Sequence, residues 1–279
     1  MTDVPNLSGP DLSGKIALVT GGAGGFGRAV TEILLEHGAQ VALTDIDEER
    51  TKATAAELGA VPFVLDVADW EANVRVVEQV EQHFGGLDIA FLNAGISVQM
   101  PVTDFDIEKY RRVTGVNFDG VSFGMQAVVP AMRRRGGGHI VATASMAGLV
   151  SAPGNPYYTM TKAAVVGLVR GAGPELAREN IRMHGLCPGF ADTPIIDRMR
   201  GSFEKADFPI IPARTVAETF LQAATSEDSG VVWLIQAGIE PAPFKFRGVP
   251  AARKPDGTPY GLPKDMDPDA KDPSKPGSK

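Results

Sequence analysis

Tyr158 and Lys162 stand four residues apart, and Ser145 precedes Tyr158 by thirteen residues. On a helix, residues at i and i+4 share a face, so the phenol and the ammonium can meet. A neighbouring positive charge favours the tyrosinate. A free phenol titrates near ~10 and is a poor base at neutral pH. Brought towards neutrality, it can take a proton from an alcohol or return one to a ketone. A serine hydroxyl at the end of an adjoining strand can hold the reacting oxygen and stabilise charge developing there. The spacing alone also fits an ordinary surface pair, so its meaning depends on the elements that position these three residues.

Short apolar runs alternate with helical patterns along most of the chain. Lys15–Thr20, Val41–Thr44, Val61–Leu65, Ile89–Leu92, His139–Ala144, Ile181–Leu186 and Val231–Ile235 read as strands. Helical patterns lie at about 29–37, 47–58, 69–84, 104–135, 157–179 and 215–225. Asn117 falls in the middle of the long 104–135 stretch, and Gly171, Gly173 and Pro174 weaken the end of the helix carrying Tyr158. This alternation predicts an α/β fold: a single Rossmann-type, doubly wound parallel sheet of about seven strands, with helices on both faces. Residues 1–13 read as a loosely held lead-in, 14–239 as the catalytic domain with a small lid at 193–212, and 240–279 as a Pro-rich tail.

In such a sheet ligands bind outside the carboxyl ends of the strands. The glycines after strand one, Asp45 after two, Asp66 after three, Asn93 after four, Ser145 after five and Pro188-Gly189 after six all fall there. The stretch Gly21-Gly22-Ala23-Gly24-Gly25-Phe26-Gly27 can be read as Gly22-x-Gly24-x-x-Gly27 or as Thr20-Gly21-x-x-x-Gly25-x-Gly27. In either register small residues let the backbone approach a pyrophosphate at a helix N-terminus. Asp45 lies where an acid can accept from the adenosine ribose hydroxyls, and its charge would repel a 2′-phosphate. NAD is therefore expected in preference to NADP, although Arg28 close behind the loop could meet a phosphate and leaves NADP possible.

The net charge of −7 provides no electrostatic footprint for nucleic acid or an anionic membrane surface. Cys187 is the single cysteine, so no intramolecular disulfide can form, and its apolar surroundings suggest a buried structural thiol. No apolar run approaches the ~18 residues needed to span a bilayer, and the first residues lack the pattern of a signal peptide. The expected location is cytoplasmic, with a small-molecule substrate and no metal.

Together, Thr20-Gly-x-x-x-Gly25-x-Gly27, Asp66, Asn93-Ala94-Gly95, Asn117, Ser145, Tyr158-x-x-x-Lys162 and Pro188-Gly189 with Thr193 resemble the short-chain dehydrogenase/reductase family over about residues 14–235. The resemblance implies the register of Gly21, Gly25 and Gly27, with Phe26 between them at the cofactor. It implies that Asp66 and Val67 meet the adenine, that Asn93, Ala94 and Gly95 steady the sheet edge, and that Pro188, Gly189 and Thr193 hold the nicotinamide carboxamide. Lys162 would also hold the nicotinamide ribose, and Asn117 would anchor a proton-relaying water. Tyr157 adjoins Tyr158, but only Tyr158 has a lysine at +4. Family members are usually dimers or tetramers, so a homodimer or homotetramer is expected.

The residues following strands four to six are mostly apolar: Ile96, Val98, Met146, Leu149, Val150, Phe190, Ile195, Met199 and Phe203. With no Arg or Lys among them to clamp an acid, the expected substrate is a lipophilic secondary alcohol or ketone of cyclic, terpenoid or steroid-like type. His184 stands where the family commonly has Asn and is expected to be a satisfied packing residue. In the tail, Phe244, Phe246 and Tyr260 suggest docking on a neighbouring subunit. The competing readings are an NADPH-dependent carbonyl reductase and a non-catalytic dinucleotide sensor, the latter having no need of Ser145, Tyr158 and Lys162 together.

Overall fold

The chain alternates strand and helix as its apolar runs dictate. A computed structural model describes residues 9–152, 154–248 and 250–259. In chain order the strands are β1 Ile16–Thr20, β2 Gln40–Asp45, β3 Val61–Val64, β4 Ile89–Leu92, β5 Gly138–Thr143, β6 Ile181–Pro188, β7 Val231–Gln236 and β8 Ile239–Pro243. They form one sheet in the order β3-β2-β1-β4-β5-β6-β7-β8. Every neighbouring pair from β3 to β7 is parallel. The chain winds outward from β1 in one direction and then from β4 in the other, so a crevice opens between the carboxyl ends of β1 and β4.

The inner strands β1 and β4 are buried at every position, while β3 at the sheet edge alternates. This is the difference expected between strands covered on both faces and a strand with one side in water. One face packs under α3 (Trp70–Phe84), α5 (Gly120–Arg135) and α6 (Pro156–Ala177), through Val76, Val80, Val128, Met132, Val165 and Val169. The other packs under α1 (Gly25–Glu36) and α8 (Ala213–Ala223), through Val30, Ile33, Leu34, Val216 and Phe220. α2 (Glu48–Leu58) is capped by Asp47, whose side chain accepts from Arg50 N. None of the helices among the described residues is long and apolar enough to cross a membrane.

The seven parallel strands are joined by an antiparallel eighth, built from residues expected to open the Pro-rich tail. β8 pairs with β7 at Trp233–Pro243, Leu234–Ala242 and Gln236–Ile239. Pro241 and Pro243 are tolerated because β8 is an edge strand, where a missing N–H breaks no second ladder. Phe244, expected at a subunit contact, donates its N–H to Val232 O and so continues this pairing. The first compact unit ends at Phe244 and a second begins at Lys245. Within the second, Lys254 N donates to Thr258 O and Arg253 bridges Pro259. Phe246 belongs to that unit, and Tyr260 lies outside the described residues.

Two other segments differ from their expected character. Leu12 in the lead-in is buried, and its N–H donates to His37 O at 2.8 Å, so this part is anchored to the end of α1. α6 runs through Gly171, Gly173 and Pro174. Gly173 is required there by close approach, since a Cβ would lie 2.3 Å from Gly230 N, and Ser229 Oγ donates to Gly173 O.

Candidate active site

The carboxyl end of β5 holds Lys162 through Thr143, two residues before Ser145. Lys162 is buried on α6, and its Nζ donates to Thr143 O at 2.7 Å. The same Nζ lies 5.8 Å from the centroid of the Tyr158 ring. Ser145 extends from β5, and its Oγ accepts from Ala147 N at 3.1 Å, capping the short turn Met146–Gly148. Gly148 lets that turn pack on α6, because a Cβ would lie 2.6 Å from Lys162 O. Tyr157 faces elsewhere, its ring 5.5 Å from Phe105 and 5.6 Å from Tyr110. The geometry therefore separates the two tyrosines as the spacing to Lys162 suggests.

The protonation balance differs from the sequence expectation. Burial pushes the Tyr158 phenol up, opposed by the neighbouring Ser145 hydroxyl. Burial pulls the Lys162 ammonium down to about 8. Desolvation disfavours the charged form of each group. The pair as folded favours a neutral phenol, which is a proton donor.

Asn117 sits in a π-helical turn, Gly115–Asp119, between α4 (Ile107–Thr114) and α5. The long stretch expected at 104–135 is thus two helices continuous through a single wide turn, of a kind that often marks a functional position. The turn aims the buried Asn117 amide at the loop after β4. Its Oδ1 accepts from Ile96 N at 2.8 Å and its Nδ2 donates to Ile96 O at 2.9 Å and to Thr161 Oγ1 at 3.3 Å. Gly95 lies between this amide and the lysine: a Cβ there would be 3.4 Å from Lys162 Nζ and 3.5 Å from Asn117 Oδ1.

The glycine loop leads from β1 into α1. Gly21 and Gly25 have φ of 63° and 53°, and a Cβ on Gly27 would lie 2.1 Å from Gly21 O. The helix it opens has no side-chain cap and no acid in its first turn, whereas α2, α3 and α4 are capped by Asp47, Asp69 and Asp106. Its free N–H groups and dipole suit an anion, so these residues fit the pyrophosphate of a dinucleotide. Asp45 ends β2 and its Oδ2 accepts from Ala23 N at 3.2 Å, holding the loop. Asn93 clamps the neighbouring strand ends: Nδ2 donates to Thr20 O at 3.0 Å, and Oδ1 accepts from Thr143 Oγ1 at 3.0 Å. Ala94 N donates to Thr20 Oγ1 at 3.1 Å. After β3, Asp66 Oδ1 accepts from Ala68 N, while Val67 is buried against Gly120.

Past β6 the chain returns to the same crevice. A Cβ on Gly25 would lie 3.3 Å from Thr193 Cγ2, so Thr193 adjoins the glycine loop. Gly189 follows Pro188 under Met146 and Gln236; a Cβ there would lie 3.0 Å from Met146 Sδ and 2.4 Å from Gln236 Oε1. Residues 190–211 form a loop closed at its base by Asp192 N donating to Ile211 O and Ile211 N to Phe190 O, both at 2.9 Å. The loop carries α7 (Asp197–Lys205). Phe190, Phe203 and Phe208 cluster with ring centroids 4.7 to 5.8 Å apart. Val150, Ile195 and Met199 are exposed, whereas Leu149 packs on the core.

His184 is wholly buried, which agrees with a packing role, but neither ring nitrogen has a hydrogen-bond partner among the described residues. Burial, with His139 nearby, pushes it down to about 4. Cys187 is buried beside Ser145 and Lys162 and is pushed up to about 12, so it is no nucleophile at neutral pH. A cavity of about 300 Å³ lined in part by Lys15, Asp88, Arg135, His139 and Arg182 opens at the amino ends of β4 to β6, across the sheet from the chemical groups.

Sequence reasoning missed three contributors. Thr143 acts through its main-chain oxygen, which no side-chain pattern reveals. Arg50 donates from Nη2 to Ala23 O at 3.2 Å. Its place three residues after the Asp47 cap puts it on the first turn of α2, a signal that was readable. Gln236 reaches Gly189 only through the parallel pairing of β6 with β7.

Residues 15–202 match the family described as short chain dehydrogenase. A 2,5-dichloro-2,5-cyclohexadiene-1,4-diol dehydrogenase of Sphingobium indicum is 41% identical over 192 residues, covering 67% of this chain and 77% of that protein. A sorbitol dehydrogenase of Cereibacter sphaeroides is 39% identical over 204 residues, covering 72% and 79%. Among solved structures, a short-chain type dehydrogenase/reductase from Mycobacterium marinum superposes with a TM-score of 0.78 at 30% identity, covering 82% of this chain and 96% of that one. With its doubly wound sheet and its glycine loop, the chain belongs to the short chain dehydrogenase family of oxidoreductases.

Proposed function

We propose that the protein transfers hydride reversibly between a nicotinamide dinucleotide, NAD in preference to NADP, and a lipophilic cyclic secondary alcohol or its ketone. The observation that carries this reading is the convergence of Ser145, Tyr158 and buried Lys162 at the carboxyl edge of β5, across the crevice from the uncapped start of α1. A non-catalytic sensor would need only the second of these features.

When bound, the nicotinamide supplies the hydride acceptor or donor. The chain supplies position and protons. Ser145 Oγ would hold the substrate oxygen beside Tyr158 Oη. In alcohol oxidation the ionised phenol removes the hydroxyl proton; in ketone reduction the neutral phenol returns it. Lys162, fixed by Thr143 O, sets the local charge and holds the nicotinamide ribose. Asn117 holds the Ile96 backbone and so the β4 loop against Lys162; anchoring a relay water remains its proposed second task. The glycine loop and the start of α1 take the pyrophosphate, with Asp66 and Val67 at the adenine and Pro188, Gly189 and Thr193 at the carboxamide.

Asp45 at the end of β2 supports NAD, because a carboxylate there accepts from ribose hydroxyls and repels a 2′-phosphate. Arg28 is occupied by Glu32 and Glu57. Arg50 beside the loop favours an NADPH-dependent carbonyl reductase. Comparing kcat/KM for NAD and NADP decides: a higher value for NADP refutes the reading of Asp45. The exposed Val150, Ile195 and Met199 and the lid phenylalanines support an apolar substrate, and the ring in the name of the Sphingobium relative supports a cyclic one. The assembly is proposed to be a homodimer or homotetramer.

A further inference from the structure

The cavity of about 300 Å³ at the amino ends of β4 to β6 has no part in the proposed reaction, yet its walls carry a cluster of charged side chains. Lys15 stands just before β1, Asp88 just before β4, and Arg135 ends α5. His139 and Arg182 are in register on β5 and β6, and Glu227 lies between α8 and β7. Lys15 Nζ at 3.5 Å and Arg135 Nε at 3.2 Å converge on one oxygen, Asp88 Oδ1, while Asp88 Oδ2 accepts from Ile16 N. Arg182 Nε donates to Glu227 O at 2.8 Å, and its Nη2 lies 3.6 Å from a Glu227 carboxylate whose side chain is 93% exposed.

The charges on these walls do not balance. Three cations face two carboxylates, and Lys15 and Arg135 share the single one that is buried. The pairing of Arg182 with so exposed an acid contributes little. The His139 ring lies in the resulting field. It is held below its ordinary value by burial first and then by Arg182, with Lys15 acting in the same sense and Glu227 opposing. Hydrogen-bonding capacity is in surplus as well. Lys15 engages one of its three ammonium protons, at long range, and Arg135 Nη1 has no partner among the described residues.

Surplus donors and surplus positive charge in a concave wall suit an anion. A phosphate carries close to two negative charges at neutral pH and presents three acceptor oxygens, so it can meet an ammonium and two guanidinium groups together. A carboxylate offers only two oxygens, in one plane. The volume is at the small end of the range for ligand pockets, enough for a phosphomonoester but not for a second dinucleotide. We propose that this cavity binds inorganic phosphate, or the phosphate of a small phosphomonoester, through Lys15, Arg135 and Arg182. It is separate from the glycine loop, which lies at the opposite, carboxyl ends of the strands.

The test is titration calorimetry on the full chain with inorganic phosphate, glycerol 1-phosphate, glycerol and succinate at constant ionic strength. Wild type is compared with Lys15→Gln and Arg182→Gln, which leave the glycine loop untouched. The expected result is a dissociation constant of about 1 mM or tighter for phosphate or its monoester, weakened by about tenfold or more in each variant, and no binding of glycerol. Tighter binding of glycerol 1-phosphate than of phosphate identifies a monoester as the occupant, and the reverse identifies the free ion. Circular dichroism reports whether each variant is folded. If Arg182→Gln does not fold, Lys15→Gln, at a half-exposed position outside the strands, carries the comparison. No phosphate binding by the wild type, an affinity unchanged in the folded variants, or succinate bound as tightly as phosphate overturns the proposal. An unchanged affinity would place the phosphate at the glycine loop instead. None of these outcomes bears on the proposed hydride transfer.

Discussion

Lys162 Nζ donates to the main-chain oxygen of Thr143 at 2.7 Å, tying the first half of α6 to the last residue of β5, two residues before Ser145. The bond fixes the ammonium, but burial still pulls it down to about 8. The unfolded chain, titrating near ~10.4, then binds more protons between these values, so stability should rise with pH from about 8 to 10.5. Below pH 8 the penalty is roughly 3 kcal/mol. Lys162→Met should therefore be at least as stable as wild type at pH 7, lack that alkaline rise, and lose turnover. Thermal unfolding across pH checks this; a less stable variant at pH 7 contradicts it.

Tyr158→Phe should lower kcat by about 10²–10⁴-fold while leaving dinucleotide affinity within a few-fold. Because burial pushes the phenol up, alcohol oxidation in the wild type should accelerate with rising pH and ketone reduction should slow. Steady-state pH profiles in both directions provide the check, and a flat oxidation profile would sink the assignment.

Asn117→Ala removes both bonds to the Ile96 backbone and orphans its N–H and C=O. A loss of about 1–3 kcal/mol in stability is expected, together with a fall in kcat as the β4 loop releases its hold beside Lys162. Denaturant unfolding and turnover measured on the same preparation should both show the effect.

Gly27→Ala places a Cβ 2.1 Å from Gly21 O, a backbone atom that cannot yield without moving the loop. Titration calorimetry with NAD should show at least about tenfold weaker binding, the loss of roughly one good hydrogen bond at the pyrophosphate. Unchanged affinity would remove the loop from the site.

His184, pushed down to about 4, stays neutral while the unfolded chain protonates near ~6.5. Stability should therefore fall as pH drops from about 6.5 to 4 and level off below, by about 3 kcal/mol from this group. His184→Asn should flatten the curve in that window. An equally steep loss in the variant would place the acid sensitivity elsewhere.

The sheet was readable because inner strands of a parallel sheet are apolar throughout and are separated by helix-period segments; β1, β4 and β5 needed nothing more. The placement of the chemical groups was also readable, since a doubly wound sheet collects strand ends at one edge. β8 was not, because Pro241 and Pro243 argue against a strand until an edge position makes their missing N–H groups harmless. Nor was the burial of Leu12, which depends on α1 ending beside it.

The sequence by itself determined the order of the seven parallel strands and the family, and pointed to Ser145, Tyr158 and Lys162 as the candidate trio, because these follow from local periodicity and residue identity. Only the tertiary structure decided the direction in which burial shifts these groups and the less visible partners. The neutral bias of Tyr158 and Lys162 arises from desolvation, which depends on everything packed around a group. The hold of Thr143 on Lys162, the grip of Asn117 on Ile96 and the meeting of Lys15 and Arg135 at Asp88 join segments distant in the chain. Main-chain atoms and fold-generated contacts leave no mark in residue spacing.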